Sequence, residues 1–410
     1  MPRLPRRTRK EREAPKPVPP LPPVAADVNE LDLSVGRTVE CRAPLLFLFA
    51  PLLGEVGLDS IVKQARFPGT RMLPAATSVD SLLALKLLGR PRKNHATTLG
   101  EDPGLGLFAG LNVLPKTTAV HSYSYRVGPK MIRTLREEWV RAYGRVDAWE
   151  GDSFNLDFHA IRPYGEESEL EKNYVPRRSQ RVKSVLTVFV QEHASTTLVY
   201  ADANLLKTDQ KDEVVRFIEY WQAVTGHSPR ELVFDSKGTT LEGLAEVARR
   251  KVRFITLRER RPEEIQRVKA LPASAWKRVT LEAPERAWRH PRILDERITL
   301  TDFPGKIRQI TAIDLGRPEP TFLLTNDLKR SPVTLLGRYV KRAIVENSIG
   351  EQVAFFHLDA LSSDVRLKVD LDVVLSVIAS NCYHWLAQRL KGYERVTAGT
   401  LWTKFLDRPG

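Results

Sequence analysis

The sequence predicts an α/β protein built on a mixed β-sheet, because strand-like and helix-like stretches alternate through its middle. Two β-branched runs, at 184–192 and 196–202, are separated by a short turn and are typical of a hairpin. The stretch 209–226 is typical of an amphipathic helix, with acidic residues in its first turn and Gly226 at its end. Further along, RELVFDSKG predicts a buried strand, TLEGLAEVARRK a helix and VRFITLRER another strand. This order predicts an α/β sheet with a mixed edge.

The residues before this sheet divide into a tail and a helical region. Residues 1–27 combine Arg and Lys with many prolines and cannot form a core, so they are predicted to be disordered. Such a tail could contact DNA phosphates or serve as a solubilising leader. From 28 to 146 the pattern is helical, as in SVDSLLALKLLGRP, which ends at Gly89 and Pro91.

Two short helices are predicted within 102–127, separated by Gly110 and Pro115. Pro115 suits the first turn of the second helix, which opens with Lys116 and two threonines. This arrangement is compatible with a helix-turn-helix in which Lys116 contacts DNA. Plain packing in a helical bundle is equally compatible with it.

The residues after the sheet begin with a second β-rich stretch. Residues 258–337 lose the helical period and contain alternating runs such as RILDERITL, so they are predicted to form a β-rich insertion. A helical pattern returns at 338–358, and 370–390 predicts a strong, mostly buried helix. The core is therefore predicted in two parts, 147–257 and 338–410.

The charge balance favours a polyanionic partner. The 410 residues include 64 basic and 50 acidic side chains, giving a net charge of +14, and the pI is near 9.7. This surplus is typical of nucleic-acid-binding proteins, although a merely soluble basic protein has the same balance. The sequence has no GxxxxGK[ST] loop, no GxGxxG after a strand and no GxSxG elbow, which disfavours ordinary metabolic enzymes.

Two isolated cysteines, Cys41 and Cys382, argue against a disulfide framework and a cysteine-based zinc site, and they favour a reducing, intracellular compartment. The longest apolar stretch, 43–58, is broken by Pro51 and Gly54, so it is expected to be a core helix and not a membrane span. No secretion signal is expected, because the N-terminus has no apolar core.

Acidic residues follow two of the predicted strands. Asp157 lies near the strand end in SFNLDFHAIRPYG, and Asp235 ends the strand ELVFD. Groups at the carboxyl ends of adjacent strands gather in one crevice of an open α/β sheet. Asp152 competes with Asp157 for the first position, and Asp235 could instead be the N-cap of the following helix.

A third carboxylate, Glu346, comes from the helix predicted at 338–358. Tyr339, Arg342 and Glu346 share one helical face, so Glu346 points at the crevice if that face rests on the sheet. Three clustered carboxylates repel one another unless cations neutralise them, and hard oxygen ligands suit Mg²⁺ or Mn²⁺. Two such ions would activate the attacking oxygen and stabilise the leaving one in phosphodiester displacement. Alternatively, Glu346 is solvated and forms a surface pair with Arg342.

The order of several motifs resembles that of bacterial insertion-sequence transposases of the DDE superfamily, over roughly residues 100–405. These motifs are NLDFHAIRPYGE, YADANLLK, LVFDSKG, VRFITLRER, TFLLTND, YVKRAIVEN and FFHLDALSSDVRLKVDLDV. The chain is most similar to the branch with a β insertion before the catalytic glutamate and a Tyr-Arg-Glu-Lys signature. The resemblance implies an RNase H-like catalytic core, an N-terminal helical DNA-binding region, and a catalytic, metal-binding triad of Asp157, Asp235 and Glu346.

Tyr339 and Arg342 match the first two residues of that signature, and the resemblance implies that they contact DNA. The signature lysine falls on Val353. In the family this lysine contacts DNA near the cut, so Lys341 or Arg338 would have to take its place.

The implied activity is that of a DNA transposase. It uses two Mg²⁺ or Mn²⁺ ions to hydrolyse phosphodiester bonds at insertion-sequence ends and to transfer the freed strand. The implied partners are double-stranded DNA, as terminal inverted repeats and target, and a second copy of the chain in the DNA complex. The implied location is the bacterial cytoplasm, with the nucleoid. Two alternatives stay open: a catalytically inactive, transposon-derived DNA-binding protein, which Val353 favours, and an RNase H-like nuclease without strand transfer.

Basic, histidine and aromatic residues elsewhere are further candidates. Arg177 and Arg178, in the loop PRRSQRVK, are predicted to contact phosphates, although a solvated charge run has the same pattern. His159 could order the site or simply form a hydrogen bond near the strand end. Packing is the favoured interpretation of four other residues: Trp276, Trp288, His357 and Asp359.

Overall fold

The computed structural model describes residues 39–89, 99–146, 149–161, 170–175, 180–282, 289–358 and 366–407. Within these ranges the chain is mixed α/β with one large mixed sheet, as the alternating patterns predicted. The predicted tail 1–27 lies outside them, and so do four candidate residues: Arg177, Arg178, Trp288 and Asp359.

The secondary-structure elements are numbered here in chain order. The α-helices are α1 (Ala50–Val56), α2 (Leu58–Gln64), α3 (Ala75–Leu87), α4 (Pro103–Phe108), α5 (Thr117–Tyr123), α6 (Pro129–Tyr143), α7 (Glu213–Thr225), α8 (Leu241–Arg249), α9 (Pro262–Lys269), α10 (Pro332–Val340), α11 (Ile344–Ala354), α12 (Arg366–Arg389) and α13 (Ala398–Leu401). The strands are β1 (Ser153–Ile161), β2 (Lys172–Val175), β3 (Gln180–Lys183), β4 (Val185–Glu192), β5 (Leu198–Leu205), β6 (Glu231–Phe234), β7 (Arg253–Leu257), β8 (Lys277–Arg278), β9 (Arg292–Thr299), β10 (Lys306–Ile313) and β11 (Thr321–Thr325).

The helices that precede the sheet share a hydrophobic core with α12. The Tyr383 hydroxyl on α12 donates to the Leu87 carbonyl at 2.6 Å, and the Tyr143 hydroxyl on α6 donates to the Asn381 carbonyl at 2.9 Å. These buried hydrogen bonds tie both ends of the described chain together. The buried helix predicted at 370–390 is confirmed as α12.

The apolar stretch 43–58 folds as the 3₁₀-helix Pro44–Phe49 followed by α1. Leu46 and Phe49 are fully buried, as expected for a core segment. In the described part of the chain, no single helix is long and apolar enough to cross a membrane. One pair, Pro44–Val56 with Leu58–Gln64, reaches that length only across a 54° bend.

Helices α4 and α5 occupy the stretch that is compatible with a helix-turn-helix. Helix α4 ends at Phe108, and α5 begins at Thr117 with Lys116 as its N-cap. Pro115 therefore lies before the second helix, and its expected place in the first turn is wrong. The connection is longer than the about three to four residues of a tight helix-turn-helix. The Lys116 side chain is exposed.

The strand order of the main sheet is β5-β4-β1-β6-β7-β11-β10-β9-β8 within the described ranges. Strands β4 and β5 form the predicted antiparallel hairpin, and β4 also pairs antiparallel with β1. Strands β1, β6 and β7 run parallel to one another. Every residue of β4 and β6 is buried, which explains their near-continuous apolar sequences.

The β-rich stretch at 258–337 extends the main sheet, because β11 pairs antiparallel with β7 and β10, β9 and β8 follow outward. The prediction that 258–337 lacks helices is wrong in two places. Helix α9 begins at Pro262, and two glutamates occupy its first turn. Helix α10 begins at Pro332, with the Ser331 side chain accepting a hydrogen bond from the Thr334 amide at 3.1 Å. Both starts carry ordinary helix signals in the sequence.

The helix predicted at 338–358 is not continuous. A 3₁₀ turn, Lys341–Ala343, separates α10 from α11. The backbone stays helical in handedness through this turn, so residues on either side of it can still face the same way.

Candidate active site

Asp157 and Asp235 occupy equivalent positions on neighbouring parallel strands. Leu156 of β1 is in register with Phe234 of β6, and each aspartate is the next residue. Strand β6 ends there, whereas β1 continues to Ile161 beside β4. Asp157 therefore lies inside β1, at the point where β1 loses its parallel neighbour β6. The sequence had suggested a position near the end of the strand. Neighbouring strands lie about 4.8 Å apart, which places the backbones of the two aspartates side by side.

The Asp235 side chain is the cap of a short turn. Its Oδ1 accepts hydrogen bonds from the Lys237 amide at 3.0 Å and from the Ser236 hydroxyl at 2.9 Å, within the 3₁₀ turn Ser236–Gly238. Helix α8 has its own N-cap, Thr240, so capping that helix does not explain Asp235. Both bonds reach one oxygen, and Oδ2 takes no part in the cap.

Arg342 joins Asp157 to Glu346. Its Nη1 lies 3.2 Å from Asp157 Oδ1, and its Nη2 donates to Glu346 Oε1 at 3.3 Å. The Arg342 side chain is 13% exposed and that of Asp157 18%, whereas Glu346 is 56% exposed. The Arg342 Cζ lies 5.7 Å from the centroid of the Tyr339 ring. The structure thus brings Tyr339, Arg342 and Glu346 together beside Asp157, across the 3₁₀ turn.

The alternative interpretation of Glu346, a largely solvated residue paired with Arg342, describes its contacts correctly. That pair is nevertheless anchored to the sheet, because the same guanidinium contacts the buried Asp157.

The site concentrates negative charge around one cation. Burial raises the pKa of Asp157; the Arg342 guanidinium opposes this shift, and the charges of Glu346 and Asp235 add to it. Burial alone would lower the pKa of Arg342, but the carboxylates, Asp157 above all, raise it. Burial also raises the pKa of the Tyr339 hydroxyl. The charges of Glu346 and Asp235 therefore both act on Asp157.

The contact between Arg342 and Asp157 is an ion pair without hydrogen-bond alignment. Among the described atoms, the buried Nη1 of Arg342 has no partner in hydrogen-bond geometry, although Asp157 Oδ1 is 3.2 Å away. A buried donor without an aligned acceptor is costly.

The donor set fits a hard divalent cation, because Asp157, Asp235 and Glu346 all offer carboxylate oxygens. Within the described ranges, however, no three His, Cys, Asp or Glu side chains converge as a ready-made metal site. Arg342 supplies the positive charge between two of the three proposed ligands.

Asp152 is separated from this cluster. It precedes β1, and its carbonyl accepts from the Arg230 and Glu231 amides at the opposite end of β6 from Asp235. Five residues of strand span about 16 Å, so Asp152 and Asp157 cannot serve the same site. The geometry favours Asp157.

Arg338 does not have the role considered for it. It is buried, and its guanidinium donates to Glu231 at 3.0 Å, Asn155 at 2.7 Å and Ser153 at 3.0 Å. A side chain held by three buried partners does not reach DNA, so the suggestion that Arg338 replaces the signature lysine is wrong. Lys341 is exposed.

Val353 occupies the signature lysine position and packs on an apolar cluster. This cluster includes Val345, Ile349, Leu358 and Val369. The position therefore faces the protein interior, where a lysine side chain would be unfavourable.

Three further candidates, His159, Trp276 and His357, lie within the described residues. His357 has a positive φ of 52°, and its Nε2 lies 2.9 Å from the Gly89 carbonyl, which supports the packing interpretation. His159 is half-buried in β1 opposite Thr187. Trp276 is half-buried directly before β8.

The polar network around Arg338 is the part of the site that sequence reasoning missed. Its members on the strands are Ser153, Asn155 and Glu231. Polar residues at alternate positions of an otherwise apolar strand were the available signal, because they share one face.

No protein-family model matches the chain, and no curated protein matches it.

Proposed function

We propose that this protein is a DNA transposase of the DDE superfamily with an RNase H-like catalytic core. The observation that carries the proposal is the placement of Asp157 and Asp235 at one level of two parallel strands, with Glu346 linked to Asp157 through Arg342. The strand order β5-β4-β1-β6-β7, an antiparallel hairpin followed by parallel strands, supports such a core. Strands β8–β11 correspond to the insertion before the glutamate.

Asp157, Asp235 and Glu346 would hold two Mg²⁺ or Mn²⁺ ions. When bound, such ions lower the pKa of water and neutralise charge on the leaving oxygen of a phosphodiester. Water attacks phosphorus, the bond to the 3′ oxygen breaks, and that oxygen leaves as a 3′-hydroxyl. The freed 3′ oxygen then forms a bond to a phosphorus of target DNA, the bond from that phosphorus to the target's own 3′ oxygen breaks, and the target strand is left with a 3′-hydroxyl, which takes up the proton that the attacking hydroxyl loses.

The other residues of the site bind and orient the DNA. Arg342 would contact a phosphate oxygen, and its guanidinium carbon lies 5.7 Å from the centroid of the Tyr339 ring. Lys341 is exposed beside Arg342 and adds a second phosphate contact. Glu346 is the most exposed of the three carboxylates.

Double-stranded DNA is the partner that this assignment requires, as terminal inverted repeats and as target. The net charge of +14 supports it. The N-terminal helices, with exposed Lys116, and the basic segment that contains Arg177 and Arg178 would bind the DNA. Paired cutting of two ends implies a homodimer in the complex, in the bacterial cytoplasm with the nucleoid.

The experiment that tests this proposal is cleavage of DNA carrying the ends of the element, with Mg²⁺, by wild-type protein and the variant Asp235→Asn. Asparagine retains the Oδ1 acceptor for the turn but loses the charge, so the fold is expected to persist while cleavage is lost. Unimpaired cleavage by Asp235→Asn would overturn the assignment.

A transposon-derived DNA-binding protein without catalysis is the second candidate. The observation that favours it is the apolar environment of Val353, where the family has a DNA-contacting lysine. DNA binding without any nicking in Mn²⁺ would support this candidate. A third candidate, a nuclease without strand transfer, is separated from a transposase by a strand-transfer assay with pre-cut ends.

A further inference from the structure

A network of polar contacts joins β1 to the helical segment that runs from α10 to α11 and includes Arg342 and Glu346. Ser153, Asn155 and Asp157 lie on the same face of β1, because alternate residues of a strand point the same way. Arg338 contacts the first two of these residues, and Arg342 contacts the third. Each of these three strand residues thus contacts an arginine of the helical segment.

The contacts of Arg338 form the most buried part of this network. Its donors reach Ser153 Oγ, Asn155 Oδ1 and Glu231 Oε1, and each of these four residues is less than a tenth exposed. These buried groups are strongly favoured to stay hydrogen-bonded to one another, because an unpaired polar group inside a protein is costly in free energy. Arg338 is therefore held in one position on the sheet.

A second part of the network passes through the neighbouring strand β4. Asn155 Nδ2 donates to Gln191 Oε1 at 3.3 Å, and Gln191 Nε2 donates to Ser348 Oγ at 2.6 Å. Asn155 and Gln191 are fully buried and directly opposite each other across β1 and β4. Ser348 lies on α11, two residues after Glu346. The network therefore holds the helical segment on both sides of Arg342, which contacts Asp157.

The apolar contacts of α11 do not fix its position as closely. Val345 and Ile349 pack in a cluster of aliphatic side chains, which tolerates small displacements. Directional hydrogen bonds do not tolerate them, because their strength falls steeply with angle.

We infer that Gln191 and Ser348 are positioning residues, which keep Glu346 and Arg342 aligned with Asp157 for cleavage. This inference rests on the proposed function. Neither residue touches the carboxylates themselves in any described contact.

The test compares Ser348→Ala with the matched variant Ser348→Thr, which keeps the hydroxyl acceptor. We expect Ser348→Ala to lower kcat for DNA cleavage about 10-fold or more, because small misplacements of reacting groups have large effects on rate. KM for DNA should stay within about 2-fold, because the DNA-contacting residues remain. Ser348→Thr should retain most of the turnover. Hydrogen exchange of the α11 amides should accelerate in Ser348→Ala relative to Ser348→Thr.

Equal kcat for wild type, Ser348→Ala and Ser348→Thr would overturn the positioning role and leave the proposed function standing. Equal loss of kcat in both variants would also overturn it, because the hydroxyl would then not be responsible. Absence of cleavage by the wild-type protein would overturn the proposed function itself.

Discussion

Asp157 and Arg342 form the ion pair at the centre of the site, with 3.2 Å between Oδ1 and Nη1. The pair links a residue in the middle of the sheet to a turn more than a hundred residues later in the chain. Arg342 also contacts Glu346, so one guanidinium neutralises part of the charge of two carboxylates. Removing this arginine would change the titration of the site directly.

We predict that Arg342→Gln raises the pKa of Asp157 further. Burial already raises this pKa, and Arg342 is the cation that opposes the shift. A carboxyl with a higher pKa keeps its proton to higher pH, so the acid side of the cleavage profile should move to higher pH. Carboxyl-carbon NMR of the metal-free protein measures the pKa. Lys341→Gln, which removes an exposed neighbouring charge, is the control and should shift it less.

Lys341→Ala should weaken DNA binding in a salt-dependent way. One lost phosphate contact makes the negative slope of log affinity against log salt less steep by about 0.9. Fluorescence anisotropy over a range of salt concentrations measures both quantities. Lys391→Ala removes an exposed lysine that follows α12 and serves as the charge-matched control. An unchanged slope for Lys341→Ala would show that Lys341 does not contact DNA.

Arg338→Met should destabilise the protein without exposing a new surface. The substitution leaves the buried Glu231 with Arg330 as its remaining arginine partner, and breaking a buried ion pair costs about 3 kcal/mol. Urea unfolding at neutral pH measures the loss. Arg338→Lys lacks the planar guanidinium fork but keeps the positive charge beside Glu231, so it should destabilise the protein less than Arg338→Met does. A stability equal to wild type for Arg338→Met would contradict the network described here.

Stability should fall as the pH rises through neutrality because of Glu213. Burial, and then the charge of Asp202, raise the pKa of Glu213 to about 7. Its folded form therefore binds a proton more tightly than the unfolded chain does. The contribution is favourable below the unfolded pKa and is lost as pH rises through about 7, a change of about 3 kcal/mol.

Urea unfolding at pH 5.5 and 8 tests this, with Glu213→Gln expected to reduce the difference. Glu219→Gln, on the exposed side of the same helix, is the control. If both variants retain the wild-type difference, Glu213 is not the group responsible.

Local patterns predicted much of the fold. The hairpin of β4 and β5, the helix ending at Gly226, and the strands on either side of α8 all follow from alternation, capping residues and β-branched runs. The starts of α9 and α10 were missed because short helices between strands carry few periodic positions. The 3₁₀ turn Lys341–Ala343 that interrupts the predicted helix contains no proline or glycine, so the sequence gives no local signal for it.

The site was predictable in part. The strand end indicates Asp235, whereas Asp157, also expected near a strand end, lies inside β1. Helical spacing indicates Arg342 with Glu346. Their convergence depends on strand register, which is set by pairing between distant segments. The burial of Arg338 could not be read from its sequence neighbours, because its partners Asn155 and Glu231 lie far away in the chain.

The central claim is that Asp157 and Asp235 act together in DNA cleavage. The most direct measurement is Mg²⁺-dependent cleavage of end-bearing DNA by wild type, Asp157→Asn and Asp152→Asn. The account predicts that Asp157→Asn loses more than about 100-fold in rate, because even residues that only support metal ligands cost about 10–100-fold. It predicts near wild-type cleavage by Asp152→Asn. Full cleavage by Asp157→Asn, or loss confined to Asp152→Asn, would contradict it.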